Sequence, residues 1–377
     1  MSQWSETACT TPSERALTGP PFKGPLEKIC QRVLDGHRIG LGEALCLYHE
    51  ADLTSLGALA HEVRLRLHPQ PLVTYVVDRN INYTNVCLSG CKFCAFFRAP
   101  GQDGGYVLDK ETLRQKIQET LDLGGTQILL QGGLHPDLDL SFYEEMLRFM
   151  KTEFPGLHIH GFSPPEIVHF SEISGLSIVK VLERLIAAGL DSIPGGGAEI
   201  LVDRVREQLS PRKCSAQAWL EVMETAHRLG LKTTATMMFG HIETIEERLT
   251  HILRIRDLQD RTGGFTAFIP WPFQPRNTAI DVLPASGAEY LRTLAISRIL
   301  LDNIPNIQAS WVTQGPKIAQ VALYFGANDF GSTMIEENVV AATGVSHRLS
   351  VEEIRRFIEE AGFEARQRLM DYTLVES

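Results

Sequence analysis

A chain of 377 residues, 44% hydrophobic and 22% charged, can bury a large core as one big barrel or as two smaller domains. Its formal net charge of −10, with no basic run or basic amphipathic helix set against it, argues against a nucleic-acid partner. No stretch has the apolar length of a bilayer span or the apolar core of a secretory signal, so the expectation is a cytoplasmic protein with no membrane partner.

Residues 1–22, rich in Ser, Thr and Pro, read as a flexible tail. Over 23–71 the runs LEKICQRVLDG, GEALCLYHEA and DLTSLGALAHEVRLRLH have helical spacing, and they predict a helical extension that closes the bottom or flank of the larger domain C-terminal to it. Asp52 or Thr54 is placed to cap the last of these helices, and Pro69 and Pro71 stop it. Cys30 and Cys46 fall on apolar faces and read as buried fillers.

An alternating stretch then leads into Asn80–Phe97, NINYTNVCLSGCKFCAFF, where Cys87, Cys91 and Cys94 stand in a C-x3-C-x2-C spacing. Seven cysteines, three of them clustered, fit a reducing compartment in which thiols serve as ligands. Three thiolates on one short loop can hold three irons of a cubane cluster and leave the fourth without a protein ligand. The alternative is a non-enzymatic zinc-binding module, its fourth ligand supplied by His135 or Cys214.

Beyond the loop one phrase recurs: a capped amphipathic helix, a glycine stop, a short apolar strand. Asp109 opens a helix before TQILLQGG. Ser141 with Glu144, Thr244 with Glu247 and Ser350 with Glu353 read as capping boxes, and Gly189, Gly230 and Gly263 as stops. Counted from the strand before Cys87, eight strands alternate with helices, which predicts a parallel sheet closed as a (β/α)8 TIM-type barrel over 72–345, with a C-terminal helix packing on it within 346–377. A doubly wound open sheet is the runner-up, but no G-x-G-x-x-G follows the first strand and there is no P-loop.

Chemistry in such a barrel gathers at the C-terminal ends of the strands. There Gln131, Gly132 and Gly133 let a ligand approach the backbone closely. His158 and His160 share one face of their strand, opposite Leu157 and Ile159, and are expected to point inward. Ser163, Glu166 and Glu199 end the next strands; Met237, Met238 and Phe239 make an apolar floor ahead of Gly240; His241 is a candidate acid or base. Trp271 or Phe273 can stack on an aromatic ring, Arg276 or Arg98 can pair with a carboxylate, and Gln308 and Ser310 share a cavity-facing side.

The cysteine spacing, with Phe93 just before the last cysteine, resembles the signature of radical S-adenosylmethionine (SAM) enzymes. The resemblance implies a [4Fe-4S] cluster on Cys87, Cys91 and Cys94 with SAM on the open iron, and Phe93, Gln131, Gly132, Gly133, Ser163, Glu166, Glu199 and Gly240 as its SAM-binding residues. The runs QGGLHPDL, HIHGFSPPEI, TTATMMFGHIET, TGGFTAFIPW, ASWVTQGPK and GANDFGSTMIEENVV, with the cysteine loop, span 73–344 and resemble the cyclic dehypoxanthine futalosine synthases of menaquinone biosynthesis. Aminofutalosine synthase and the tyrosine-using subunit of deazaflavin (F0) synthase share the loop and barrel and stay open as alternatives. The resemblance implies an external one-electron donor such as flavodoxin or ferredoxin, and abstraction of hydrogen from C4′ of the ribose of dehypoxanthine futalosine. The carbon radical then closes onto the attached benzoate ring, with loss of an electron and a proton. Arg98, His158, Trp271, Arg276 and Gln308 are then candidate substrate contacts, and His160, His241 and Glu166 candidate acceptors of the final proton.

Overall fold

The computed structural model describes residues 21–345 and 347–376. Its strands are β1 (Leu72–Val76), β2 (Asp78–Asn82), β3 (Gln127–Gln131), β4 (His158–Gly161), β5 (Ser192–Ile193), β6 (Lys232–Phe239), β7 (Phe265–Pro272), β8 (Asn306–Ile307), β9 (Asp329–Ser332) and β10 (Glu364–Gln367). From β2 to β8 they pair in chain order, all parallel, as helices between consecutive strands require. The ring closes through two further links. β1 runs into β2 across Val77 alone and pairs with β9, and the bridge Gln308↔Asp329, with Ala309 N–H donating to the Asp329 carbonyl at 2.8 Å, carries the end of β8 onto β9. One stave from β1 and β2 and seven from β3 to β9 make the expected (β/α)8 barrel.

Local signals explain most element ends. Asp52, Asp109 and Thr244 accept backbone N–H groups at their helix starts, and Gly189 and Gly263 end helices in the left-handed conformation. The Ser141–Glu144 capping box does not form. Asp139, two residues earlier, takes the cap by accepting from Phe142 N–H at 3.0 Å, and Glu144 instead pairs with Arg148 and Arg184.

The N-terminal helices Pro25–Leu34, Leu41–Glu50 and Leu53–Leu67 lie on the flank, where the last packs along helix Gly287–Leu300. Arg64 reaches the lower rim and donates to the carbonyls of Leu72 and Ala327, each at 3.0 Å. Most of the tail expected over 1–22 lies outside the described residues, but its last residue, Phe22, is buried in the core. Cys30 is fully buried, whereas Cys46 is exposed and fills nothing.

Beyond the C-terminal helix Val351–Glu360, β10 pairs with β1 below the point where β3 begins to pair with β2. It delivers Arg368 into the barrel, where Nε lies 2.5 Å and an Nη 3.2 Å from the two oxygens of Asp329. Thr74 Oγ1 donates to the same carboxylate at 2.6 Å, so the floor is a satisfied buried ion pair and not open space. Among the described residues, no helix is long and apolar enough to cross a membrane.

Candidate active site

The cysteine loop is held at both ends. Cys87 N–H donates to the Arg98 carbonyl at 2.9 Å, Arg98 N–H returns to Asn85, and Cys94 N–H turns back to Cys91 at 3.1 Å. Ser89 Oγ sits 3.1 Å from the sulfurs of both Cys87 and Cys91, and the N–H groups of Leu134 and Ser89 aim at Cys87 Sγ from 3.3 and 3.4 Å. Burial pushes the Cys91 and Cys94 thiols up, and the Lys213 ammonium opposes that for both. Three sulfur donors with N–H and O–H groups around them fit an iron–sulfur cluster. Of the side chains that a zinc site would borrow, His135 accepts from Asp137 N–H at Nδ1, and Cys214 Sγ lies 3.9 Å from Arg206.

The two glycines after β3 are required by how closely the loop lies on that strand. A Cβ on Gly132 would enter the Tyr83 ring, and one on Gly133 would meet the Val86 carbonyl and Cys87. Their N–H groups are taken, Gly132 by Glu166 at 3.0 Å and Gly133 by the Thr84 carbonyl at 3.1 Å. Glu166 also accepts from Tyr83 Oη at 2.6 Å and from both the backbone and the hydroxyl of Ser163 at 2.7 and 2.6 Å. It therefore ties three strand ends together and is buried behind the cavity. That corrects its expected roles as proton acceptor and ligand contact, and Ser163 spends its hydroxyl on the same bond. Burial holds the Glu166 carboxyl above its usual pKa, against the pull of these donors.

A cavity of about 280 Å³ fills the barrel's interior. Gln131, His160, Glu199, Trp271 and Gln308 line it, as the sequence predicted for all five. Glu199, with φ of 40°, is held in a conformation that L residues rarely adopt. Burial pushes its carboxyl up, but Lys213 at 2.8 Å and Arg206 at 3.5 Å outweigh burial and keep it ionised. Lys213 Nζ also stands 5.0 Å from the centre of the Phe93 ring, so cavity and cysteine loop meet through this cation. Neither Lys213 nor Arg206 was picked out from the sequence. The only signal was their position, in the turn and short helix that follow the β5 end.

Glu337, also missed, lines the cavity from the segment after β9. It accepts the N–H groups of Val339, Val340 and Ala341 at 2.8–2.9 Å, and burial raises its pKa.

Other expected site residues lie elsewhere. The His241 side chain is enclosed in the turn after β6, with Nε2 2.9 Å from the Met238 carbonyl and Nδ1 2.9 Å from Glu243, so it does not face the cavity as a base. Gly240 belongs to the same turn, its N–H donating to Glu243 at 2.7 Å. Met237, Met238 and Phe239 are core filler, and the Arg248 guanidinium covers the Phe239 ring at 4.5 Å. Arg98 folds back on its own loop to the carbonyls of Phe96 and Phe97, and Arg276 packs beside Gly344 on an outer groove. His158 lines a separate groove below the barrel, next to Leu369 and Asp371.

Comparison with known proteins agrees with this geometry. A family model described as the radical SAM superfamily matches residues 81–255, and one described as the CofH/MqnC C-terminal region matches 262–377. A cyclic dehypoxanthine futalosine synthase from Halalkalibacterium halodurans is 46% identical over 93% of this chain and 95% of its own length. One from Streptomyces coelicolor is 46% identical over 93% and 89%. Among solved structures, the FeFe-hydrogenase maturase HydG from Carboxydothermus hydrogenoformans superposes with a TM-score of 0.73 at 18% identity, covering 92% of this chain and 80% of that one, a likeness of fold alone. The chain belongs to the radical SAM superfamily, in the branch that contains the cyclic dehypoxanthine futalosine synthases.

Proposed function

We propose that the protein converts dehypoxanthine futalosine to its cyclic form in menaquinone biosynthesis. Membership of the radical SAM superfamily implies an iron–sulfur cluster and SAM. In this reading the cluster is a [4Fe-4S] centre on Cys87, Cys91 and Cys94, reduced by a flavodoxin or ferredoxin in the cytoplasm. When bound, cluster and SAM supply a 5′-deoxyadenosyl radical. The observation that carries the reading is the link Phe93–Lys213–Glu199, which joins a three-thiol loop to a cavity inside a (β/α)8 barrel.

The chain's own residues bind, orient and exclude water. Gln131 and the Glu199–Lys213 pair hold SAM between the loop and the cavity. Trp271 stacks against the substrate's aromatic ring and Gln308 fixes a polar edge. In this reading His160, on the cavity wall, accepts the proton that the ring loses. Incubation of the reconstituted enzyme with SAM, a reductant and each candidate substrate, followed by mass spectrometry, tests this. Dehypoxanthine futalosine should give a product lighter by two hydrogens, and turnover of an aminofutalosine or deazaflavin precursor instead would reassign the enzyme.

A further inference from the structure

His160 lines the barrel cavity, and His158, two residues earlier on β4, lines the groove on the opposite, lower face. Both rings reach one hydroxyl. Ser192 Oγ on the paired strand β5 lies 2.7 Å from His160 Nδ1 and 2.7 Å from His158 Nε2. Ser192 is buried, and among the described residues neither His160 Nε2 nor His158 Nδ1 makes a hydrogen bond. The groove at the far end is edged by exposed residues, Gly156, Leu369 and Asp371. A hydrogen-bonded line therefore runs from the reaction cavity, through the sheet, to the bottom surface.

We infer that His160, Ser192 and His158 form a proton exit that carries the hydrogen ion released by ring closure out through the floor of the barrel. The inference rests on the cyclase reading. Ring closure removes two hydrogens from the substrate. One leaves as an atom on 5′-deoxyadenosine and one as a proton, and the electron lost on rearomatisation balances the one that began the cycle. The proton adds to His160 Nε2, Nδ1–H passes to Ser192 Oγ, the serine O–H passes to His158 Nε2, and His158 Nδ1–H leaves to water. Each oxygen and nitrogen ends with the number of protons it can hold.

The surroundings suit transit and not storage. Burial lowers the pKa of both rings; His158 and Arg368 lower that of His160 further, while around His158 the carboxylates Asp191 and Asp371 act against burial and Lys151. Both imidazoles therefore rest neutral, each with one N–H and one lone pair, as a relay needs. A proton leaving a ring that regains aromaticity is strongly acidic, so a weak base suffices at the inner end.

The test compares wild type, Ser192→Ala and Ser192→Thr as reconstituted holoenzymes with SAM, reductant and dehypoxanthine futalosine. Ser192→Ala should keep forming 5′-deoxyadenosine while the ratio of cyclic product to 5′-deoxyadenosine falls about tenfold. Ser192→Thr, which keeps the hydroxyl, should restore the ratio to within about twofold. In 15N spectra of the substrate-free protein, Ser192→Ala should move the ring nitrogens of both His158 and His160. An unchanged ratio in Ser192→Ala overturns the relay, as does an unmoved His158. If wild type itself makes no cyclic product, the substrate reading fails and the relay is judged on the 15N shifts alone.

Discussion

Lys213 donates to Glu199 across 2.8 Å inside the protein; burial disfavours both charges, but Cys91 and Glu199 hold the ammonium protonated, and Lys213 with Arg206 holds the carboxyl ionised. Breaking a buried pair by removing one partner leaves the other charge uncompensated. Lys213→Met should therefore lower the unfolding free energy by roughly 3 to 5 kcal/mol, measured in urea on the cluster-free protein. Glu199→Gln, which keeps shape and one acceptor, should cost less. Equal, negligible effects of both variants would mean the pair is not enclosed.

The packing of β3 against the cysteine loop predicts a second outcome. Gly133→Ala places a methyl against the Val86 carbonyl and Cys87, with rigid backbone on one side, so the loop must shift. Iron and sulfide per chain after reconstitution should fall severalfold. Gly156→Ala, at a site where a Cβ meets nothing, is the matched control and should load normally.

Acid sensitivity has a specific source in His227. Its two ring nitrogens lie 2.7 Å from the hydroxyls of Thr262 and Thr233, and burial, aided by Lys232, lowers its pKa to about 4. The unfolded chain takes up that proton near pH 6.5, the folded chain only near 4. The stability it contributes is complete above the unfolded value and is lost as pH falls across that window, on the order of 3 kcal/mol in all. His227→Gln should lessen the slope of unfolding free energy against pH in that range, with buried His61 and His251 supplying part of the remainder; an unchanged slope would refute the assignment.

Arg368, the residue just after β10, and Asp329 on β9 close the floor, so Arg368→Met should destabilise the fold by roughly 3 to 5 kcal/mol. Hydrogen exchange should show β10 released from β1. If β10 stays protected, its attachment does not depend on this pair.

What the sequence disclosed was what is local. Cys87, Cys91 and Cys94 are neighbours in the chain, so their spacing alone announced three thiols gathered on one loop. The alternation of capped helices with short apolar strands announced the barrel. The capping boxes at Thr244 and Ser350 formed as read, and the one at Ser141 failed because Asp139 stood nearer the start of the helix. β10 was missed because EARQ has no apolar alternation, its place being fixed by the distant pairing of Arg368 with Asp329. Residue type indicated which chemistry Arg98, Arg276 and His241 can do, but not where a loop turns their side chains. Lys213 escaped notice for the converse reason: it is an ordinary lysine in an SPRKCS turn until β5's end brings Glu199 beneath it.

In the proposed function, three thiols beside this cavity start radical chemistry on dehypoxanthine futalosine. The direct measurement is anaerobic turnover with SAM, reductant and that substrate, with 5′-deoxyadenosine and product quantified together in wild type and Cys91→Ala. Wild type should yield both in equal amounts, with the product lighter by two hydrogens, and Cys91→Ala should yield neither. Cyclic product without 5′-deoxyadenosine, or 5′-deoxyadenosine formed undiminished by Cys91→Ala, would contradict it.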